Sequence, residues 1–142
     1  MTEAIERAGG CLCGAVRFRV RHGGEVVLCH CSMCRRMHGG PLFAVMCEGA
    51  PTFEAEGAVG VYRSSEQGER GFCQNCGSTL YFRHRAQDFF AFTAGSFDDQ
   101  APMMITGQIH LDDKPGFYAF ASDTPGHRKD EESEPVGPAQ PR

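Results

Sequence analysis

The chain has 142 residues, 18 glycines, 8 cysteines, no tryptophan and a formal net charge of −4. That length fits one domain with a buried core, and the glycine content points to turns and short strands. An acidic balance without basic runs counts against nucleic acid as a partner, and no apolar run is long enough to cross a bilayer as a helix.

Residues 1 to 9 are polar, lack the apolar centre of a signal peptide and read as a frayed arm. The expected compartment is therefore the reducing cytoplasm, where cysteines serve as metal ligands rather than disulfides. Gly10-Cys11-Leu12-Cys13-Gly14 follows, a knuckle whose glycines let two sulfurs turn toward one point. Val16, Phe18 and Val20 alternate with Arg17 and Arg19, the period of a half-buried strand. Glu25 to Cys29 reads as a second strand, with His22-Gly23-Gly24 as a hairpin-like turn between the two.

Cys29-His30-Cys31-Ser32-Met33-Cys34 is the chemically densest stretch. Its three cysteines are too close in sequence to bridge one another without strain, but their thiolates can converge on one soft ion. Ser32 is placed to cap a short helix over Met33 to Met37, closed by Gly39-Gly40-Pro41. Leu42 to Cys47 reads as a buried strand, and Gly49-Ala50-Pro51 as a break. Phe53 and the stretch Ala58 to Arg63 suggest two further strands, with Ser64 to Glu69 an exposed hairpin tip. Cys73-Gln74-Asn75-Cys76-Gly77 is a second knuckle. Thr79 to Arg83 and Phe89 to Ala94 are aromatic-rich strands, and alternation sets Phe90 and Phe92 together on a core face. Met103 to Leu111 is a strand with Gly107 as a bulge, and Phe117 to Phe120 a last apolar element. From Ser122 onward proline, glycine and charge dominate, which reads as a disordered tail over 122–142.

The cysteines divide into two groups. Cys11, Cys13, Cys73 and Cys76 supply four sulfurs from two knuckles, the ligand set of a closed structural zinc site, with buried or disulfide-bonded cysteines as the alternative. Cys29, Cys31 and Cys34 supply three, which leaves a zinc ion open for chemistry unless His30, His38 or Cys47 closes the set. In an extended segment His30 points away from its two cysteine neighbours. Cys47, in an apolar strand, reads as a small core residue.

The segments Gly10 to Val16, Cys29 to Arg36 and Gly68 to Leu80 resemble the glutathione-dependent formaldehyde-activating enzyme family, which also contains centromere protein V. Thr93 to Asp99 is similar to a further family segment. The resemblance implies a β-tent, a mainly β fold of small antiparallel sheets with little helix, as a zinc-binding domain over 1–121. It implies a structural zinc on Cys11, Cys13, Cys73 and Cys76, and a catalytic zinc on Cys29, Cys31 and Cys34. It also implies a carbon–sulfur lyase that joins formaldehyde and glutathione as S-hydroxymethylglutathione, with a small-molecule thiol or its adduct as partner. The family often carries a tryptophan that this chain lacks, so a different substrate pocket is expected.

Arg35, Arg36 and Arg70 are candidate anchors for substrate carboxylates, which arginine holds bidentately, against the alternative of solvated surface charges. His30 and His38 are candidate proton carriers. Two competing functions remain: a non-catalytic, zinc-stabilised protein-binding module, and a methionine sulfoxide reductase. The latter needs a reactive thiol outside the metal groups, and Cys47 is the spare one.

Overall fold

A computed structural model describes residues 3–121 and Gly126. Eight strands are present: β1 Ile5–Gly10, β2 Arg17–Cys29, β3 Leu42–Phe53, β4 Val59–Arg63, β5 Gly68–Cys73, β6 Thr79–His84, β7 Phe89–Thr93 and β8 Met104–Ile109. One α-helix, α1 Ser32–His38, joins β2 to β3. The fold is mainly β with little helix, as expected. Among the described residues the strands form one eight-stranded sheet rather than separate small sheets, in the order β1-β2-β3-β7-β6-β5-β4, with β8 off this path beside β2. All pairings are antiparallel except that of β8, which lies parallel to β2. Among the described residues no helix is long and apolar enough to cross a membrane. The segment expected to be a disordered tail lies outside the described residues, apart from Gly126, which makes an isolated bridge to Gln108.

Several boundaries differ from the sequence reading, each for a local reason. The expected frayed arm is β1, paired from Ile5 opposite His22 to Gly10 opposite Arg17. Its polar sequence hides it because backbone pairing, not side-chain burial, holds an edge strand. The expected hairpin turn at His22-Gly23-Gly24 is a bulge inside the single strand β2. His22 faces Cys47 and Val26 faces Val45, so three residues of β2 oppose one of β3. Gly24 adopts φ +93, and a side chain there would run into the Pro102 carbonyl. The bulge also divides one edge of β2 between two partners, β1 before it and β8 after it. Gly49-Ala50-Pro51 likewise does not break the chain but forms the matching bulge in β3, with Gly49 at φ +77. Gly68 and Glu69 belong to β5 rather than to the hairpin tip. Phe117 to Phe120 forms no regular element; Tyr118 and Phe120 pack beside His30, and Phe117 is exposed.

Strand alternation gives the sheet two faces with different work. One face carries Phe18, Val26, Leu28, Val45, Leu80 and Phe92 into the core, with Phe18 and Phe92 rings 4.4 Å apart. The expected pairing of Phe90 with Phe92 holds, Phe90 packing on that core. The other face carries Cys29, Leu42, Ala44 and Ala91 into a second cluster. The register runs Arg70 opposite Phe82, Phe82 opposite Ala91 and Ala91 opposite Met46. That row crosses four strands and brings Arg70 onto the second face.

His22 is wholly buried at the β2 bulge, its Nδ1 accepting from the Gly24 amide at 3.0 Å. Burial, with a smaller push from Arg7, lowers its pKa from 6.5 to about 4. The unfolded chain therefore binds this proton more readily between those values. His22 thus contributes stability that is complete above pH 6.5 and lost as pH falls toward 4, by up to about 3 kcal/mol. Chemical denaturation across that window should show a shallower loss in His22→Phe than in the parent; parallel curves would disprove the coupling.

Candidate metal centres and active-site cavity

The first cysteine group joins the β1–β2 connection to the β5–β6 turn. Cys11 and Cys13 sulfurs stand 3.7 Å apart, and Cys13 and Cys73 sulfurs 3.8 Å. Those separations are far too long for a disulfide. They match the roughly 3.8 Å expected between thiolates bound at about 2.3 Å to one tetrahedral ion. All four sulfurs lie within 4.8 Å of one another. The surrounding backbone supplies donors: the Val16 amide to Cys11, the Ala15 amide to Cys13 and the Cys76 amide to Cys73. The Asn75 side-chain amide donates to Cys13. Bonds from the Ser78 hydroxyl and backbone lower the Cys76 pKa to about 5. Gly14 and Gly77 take positive φ beside the knuckles, the turn geometry that aims each sulfur pair.

The second group sits where β2 runs into α1. Cys29, Cys31 and Cys34 sulfurs also lie within 4.8 Å of one another. Cys31, not the expected Ser32, caps the helix: its Sγ accepts from the Cys34 amide at 3.4 Å. An N-cap residue needs extended backbone and an acceptor; Cys31 has φ −63 and ψ 156, and its sulfur is the acceptor. The thiols of Cys29 and Cys34 donate toward Cys31 and hold its pKa well below the usual thiol range. The Cys29 thiol is pushed far up by its bonds to Cys31 and Cys34 and by burial. A bound cation would favour the thiolate form of all three. Both groups can hold a metal ion, and their spacing suits zinc.

The three sulfurs open on a cavity of about 410 Å³, walled largely by apolar side chains including Val27, Met46, Phe82, Phe89 and Ile109. Its polar lining is Ser65, Arg70, His84 and His110, and among the described residues no carboxylate lines it. Arg70 is 2% exposed. Its Nη1 donates to Cys34 Sγ at 3.5 Å, its Nε to Ser64 Oγ at 3.1 Å, and its guanidinium lies over the Phe82 ring. The other two candidate arginines are on α1 and do not line the cavity: Arg35 Nε donates to the His30 carbonyl at 3.0 Å, and Arg36 is exposed.

His30 is fully buried and turned away from the sulfurs, as expected, with Nδ1 2.8 Å from the Tyr118 hydroxyl and Nε2 2.7 Å from Gln108 Oε1. His38 Nε2 is buried without a partner among the described residues. Burial, then the nearby Arg70 charge, lowers its pKa to about 4, so it is neutral near pH 7. Sequence reasoning missed His84 and His110 as cavity residues. His110 follows β8 in a left-handed conformation, φ 56, a reversal that no local motif announces. His84 required the β5–β6–β7 register.

A mainly antiparallel β protein with a four-sulfur knuckle and a three-sulfur cavity belongs to the class of cysteine-rich metal-site enzymes and modules. The model of the glutathione-dependent formaldehyde-activating enzyme family matches residues 6–113, and the chain is a member of that family. It is 35% identical over 121 residues to an uncharacterized lyase of Schizosaccharomyces pombe, covering 84% of this chain and 88% of that protein. It is 34% identical over 127 residues to a Halomonas elongata protein provisionally named a glutathione-dependent formaldehyde-activating enzyme, covering 80% of each. The crystal structure of a Rhodobacter sphaeroides protein shares the fold with a TM-score of 0.55 at 21% identity, over 64% of this chain and 87% of that one. Family and relatives support a lyase-type, glutathione-related function.

Cys47 stands apart from both groups. Burial pushes its pKa up to about 12, and its Sγ donates to the Val45 carbonyl at 3.2 Å. A thiol held protonated is a weak nucleophile, which counts against the sulfoxide reductase reading. Iodoacetamide at pH 8 should leave Cys47 unmodified in folded protein and label it on unfolding, as read by peptide mass mapping. Labelling of Cys47 in the folded protein would contradict its raised pKa.

Proposed function

We propose that the chain is a zinc-dependent carbon–sulfur lyase that makes and breaks a thiol–aldehyde adduct such as S-hydroxymethylglutathione in the cytoplasm. The observation that carries this reading is the three-sulfur group opening on a cavity beside a buried, carboxylate-free arginine. Cys11, Cys13, Cys73 and Cys76 would hold a structural zinc. Cys29, Cys31 and Cys34 would hold a second, with three protein ligands and therefore a place for a ligand from the cavity. Bound there, zinc stabilises a thiolate or polarises a carbonyl oxygen.

The chain's own residues set the conditions for that chemistry. Three thiolates around a divalent ion leave net negative charge, which the Arg70 guanidinium beside Cys34 offsets. Arg70 also presents donors to an oxygen or carboxylate of the adduct. His84 and His110 line the cavity and can carry the proton between sulfur and the adduct oxygen. The apolar walls exclude water, which strengthens each of these interactions. Arg35 and Arg36 remain available to any part of the substrate that extends outside the cavity.

Elemental analysis should find two zinc ions per chain. Cys31→Ala should retain one and lose turnover, melting only a few degrees lower because the cap of α1 is lost with the ion. Cys76→Ala should also retain one but melt about 10 °C lower or more, because it removes the structural staple. Unchanged zinc content in Cys31→Ala would remove the basis for a second metal. Arg70→Gln should lower kcat/KM about 100-fold while both ions stay bound, the loss expected for one charge-stabilising group. Full activity in that variant would exclude the assigned role.

A further inference from the structure

Resting on the lyase reading, we infer that the adduct carries an apolar substituent of roughly six to ten heavy atoms, on the aldehyde carbon or on the sulfur, and that the cavity is its binding site. Formaldehyde contributes a single carbon and cannot fill about 410 Å³. A dry apolar cavity of about 150 Å³ already holds one benzene, so this one takes the reacting unit and a chain or ring besides. Met46, Phe82, Phe89 and Ala91 form an apolar stretch of its wall. Glutathione brings two carboxylates and an ammonium. Among the described residues the cavity offers one guanidinium, Arg70, already engaged with Cys34 and Ser64, two imidazoles, His84 and His110, and no carboxylate for the ammonium. A tripeptide buried here would leave charges without partners, which costs far more than the contacts return. An alkyl or aryl group loses nothing on entry and gains at every buried methylene.

The step balances without a redox partner. The sulfur lone pair forms the C–S bond, the carbonyl π pair moves to oxygen, and the thiol proton ends on that oxygen. In reverse the same bond breaks, and aldehyde and thiol are released.

The test uses zinc-loaded protein and two homologous series followed by NMR exchange spectroscopy. In one, formaldehyde, butanal and hexanal react with 2-mercaptoethanol. In the other, formaldehyde reacts with 2-mercaptoethanol, butanethiol and hexanethiol. Along at least one series kcat/KM should rise about three- to fourfold per methylene, and the series that responds identifies the side bearing the apolar group. Calorimetry should show hexanethiol binding at least tenfold more tightly than 2-mercaptoethanol. Ala91→Leu, which narrows the cavity, should cut the hexyl-to-formaldehyde preference at least tenfold. Phe89→Ala, which widens it, should move the preferred length upward and covers the case in which Ala91→Leu fails to fold. Equal or falling values along both series, with chain-length-independent binding, would overturn the inference. Chain-length-dependent binding without turnover of any pair, formaldehyde and glutathione included, would support the apolar site and remove the lyase reading instead.

Discussion

Seven thiols gathered into two groups, each within 4.8 Å, are the constraint that the rest of the structure answers. Two unit charges about 4 Å apart repel by roughly 4 kcal/mol at the effective dielectric of a protein surface. Such groups ionise together only where donors or a cation compensate. The knuckle of Cys11, Cys13, Cys73 and Cys76 is compensated locally, by three backbone amides and the Asn75 amide. The group of Cys29, Cys31 and Cys34 receives two backbone amides, from Cys31 and Cys34, and one guanidinium, from Arg70. Its remaining deficit sits at the cavity, where a ligand can act on it.

Two strands tie the groups together. β2 begins at Arg17, beside the first knuckle, and ends at Cys29. β5 carries Arg70 in its middle and Cys73 at its end. Closing the knuckle therefore fixes the strand that delivers Arg70 and anchors the strand that delivers Cys29. The knuckle has no atom in the cavity, yet it determines how closely guanidinium and sulfur approach. Arg17 adds to this by pairing with Asp98 through both carboxylate oxygens, which fastens the start of β2 to the segment after β7. The Arg17 bond holds the Asp98 carboxyl below the usual range.

What could be read from the sequence follows the range of the interaction. Cysteine spacing is local, so both groups were legible from Cys11, Cys13, Cys29, Cys31, Cys34, Cys73 and Cys76 alone. The side chain of His30 was also legible, because alternation turns it away from its neighbours. β1 was not, since Ile5–Gly10 is an edge strand that a polar, glycine-containing sequence satisfies through backbone bonds. The unity of β2 was hidden because glycine pairs signal turns, and only the Pro102 carbonyl and two separate edge partners make a bulge there instead. Arg70 was one candidate among three. What separates it from Arg35 and Arg36 is the register row through Phe82, Ala91 and Met46, a property of four strands and of no single segment.

The same reasoning explains why one fold can keep one sulfur group inert and the other reactive. Cys13 and Cys76 are exposed, at turns whose geometry is complete without anything further. Water there screens the charge, and a fourth sulfur leaves no place for an incoming ligand. Cys29 and Cys34 are buried, their group has three sulfurs, and the space that a fourth ligand would occupy is continuous with the cavity. Apolar walls keep the local dielectric low, so the charge of the group and of Arg70 is felt strongly by whatever enters. Those walls also penalise any entrant whose own charges they cannot pair. On the proposed lyase reading, reactivity toward sulfur and selectivity for apolar groups have one cause: the apolar face of the sheet on which Cys29, Phe82 and Arg70 meet.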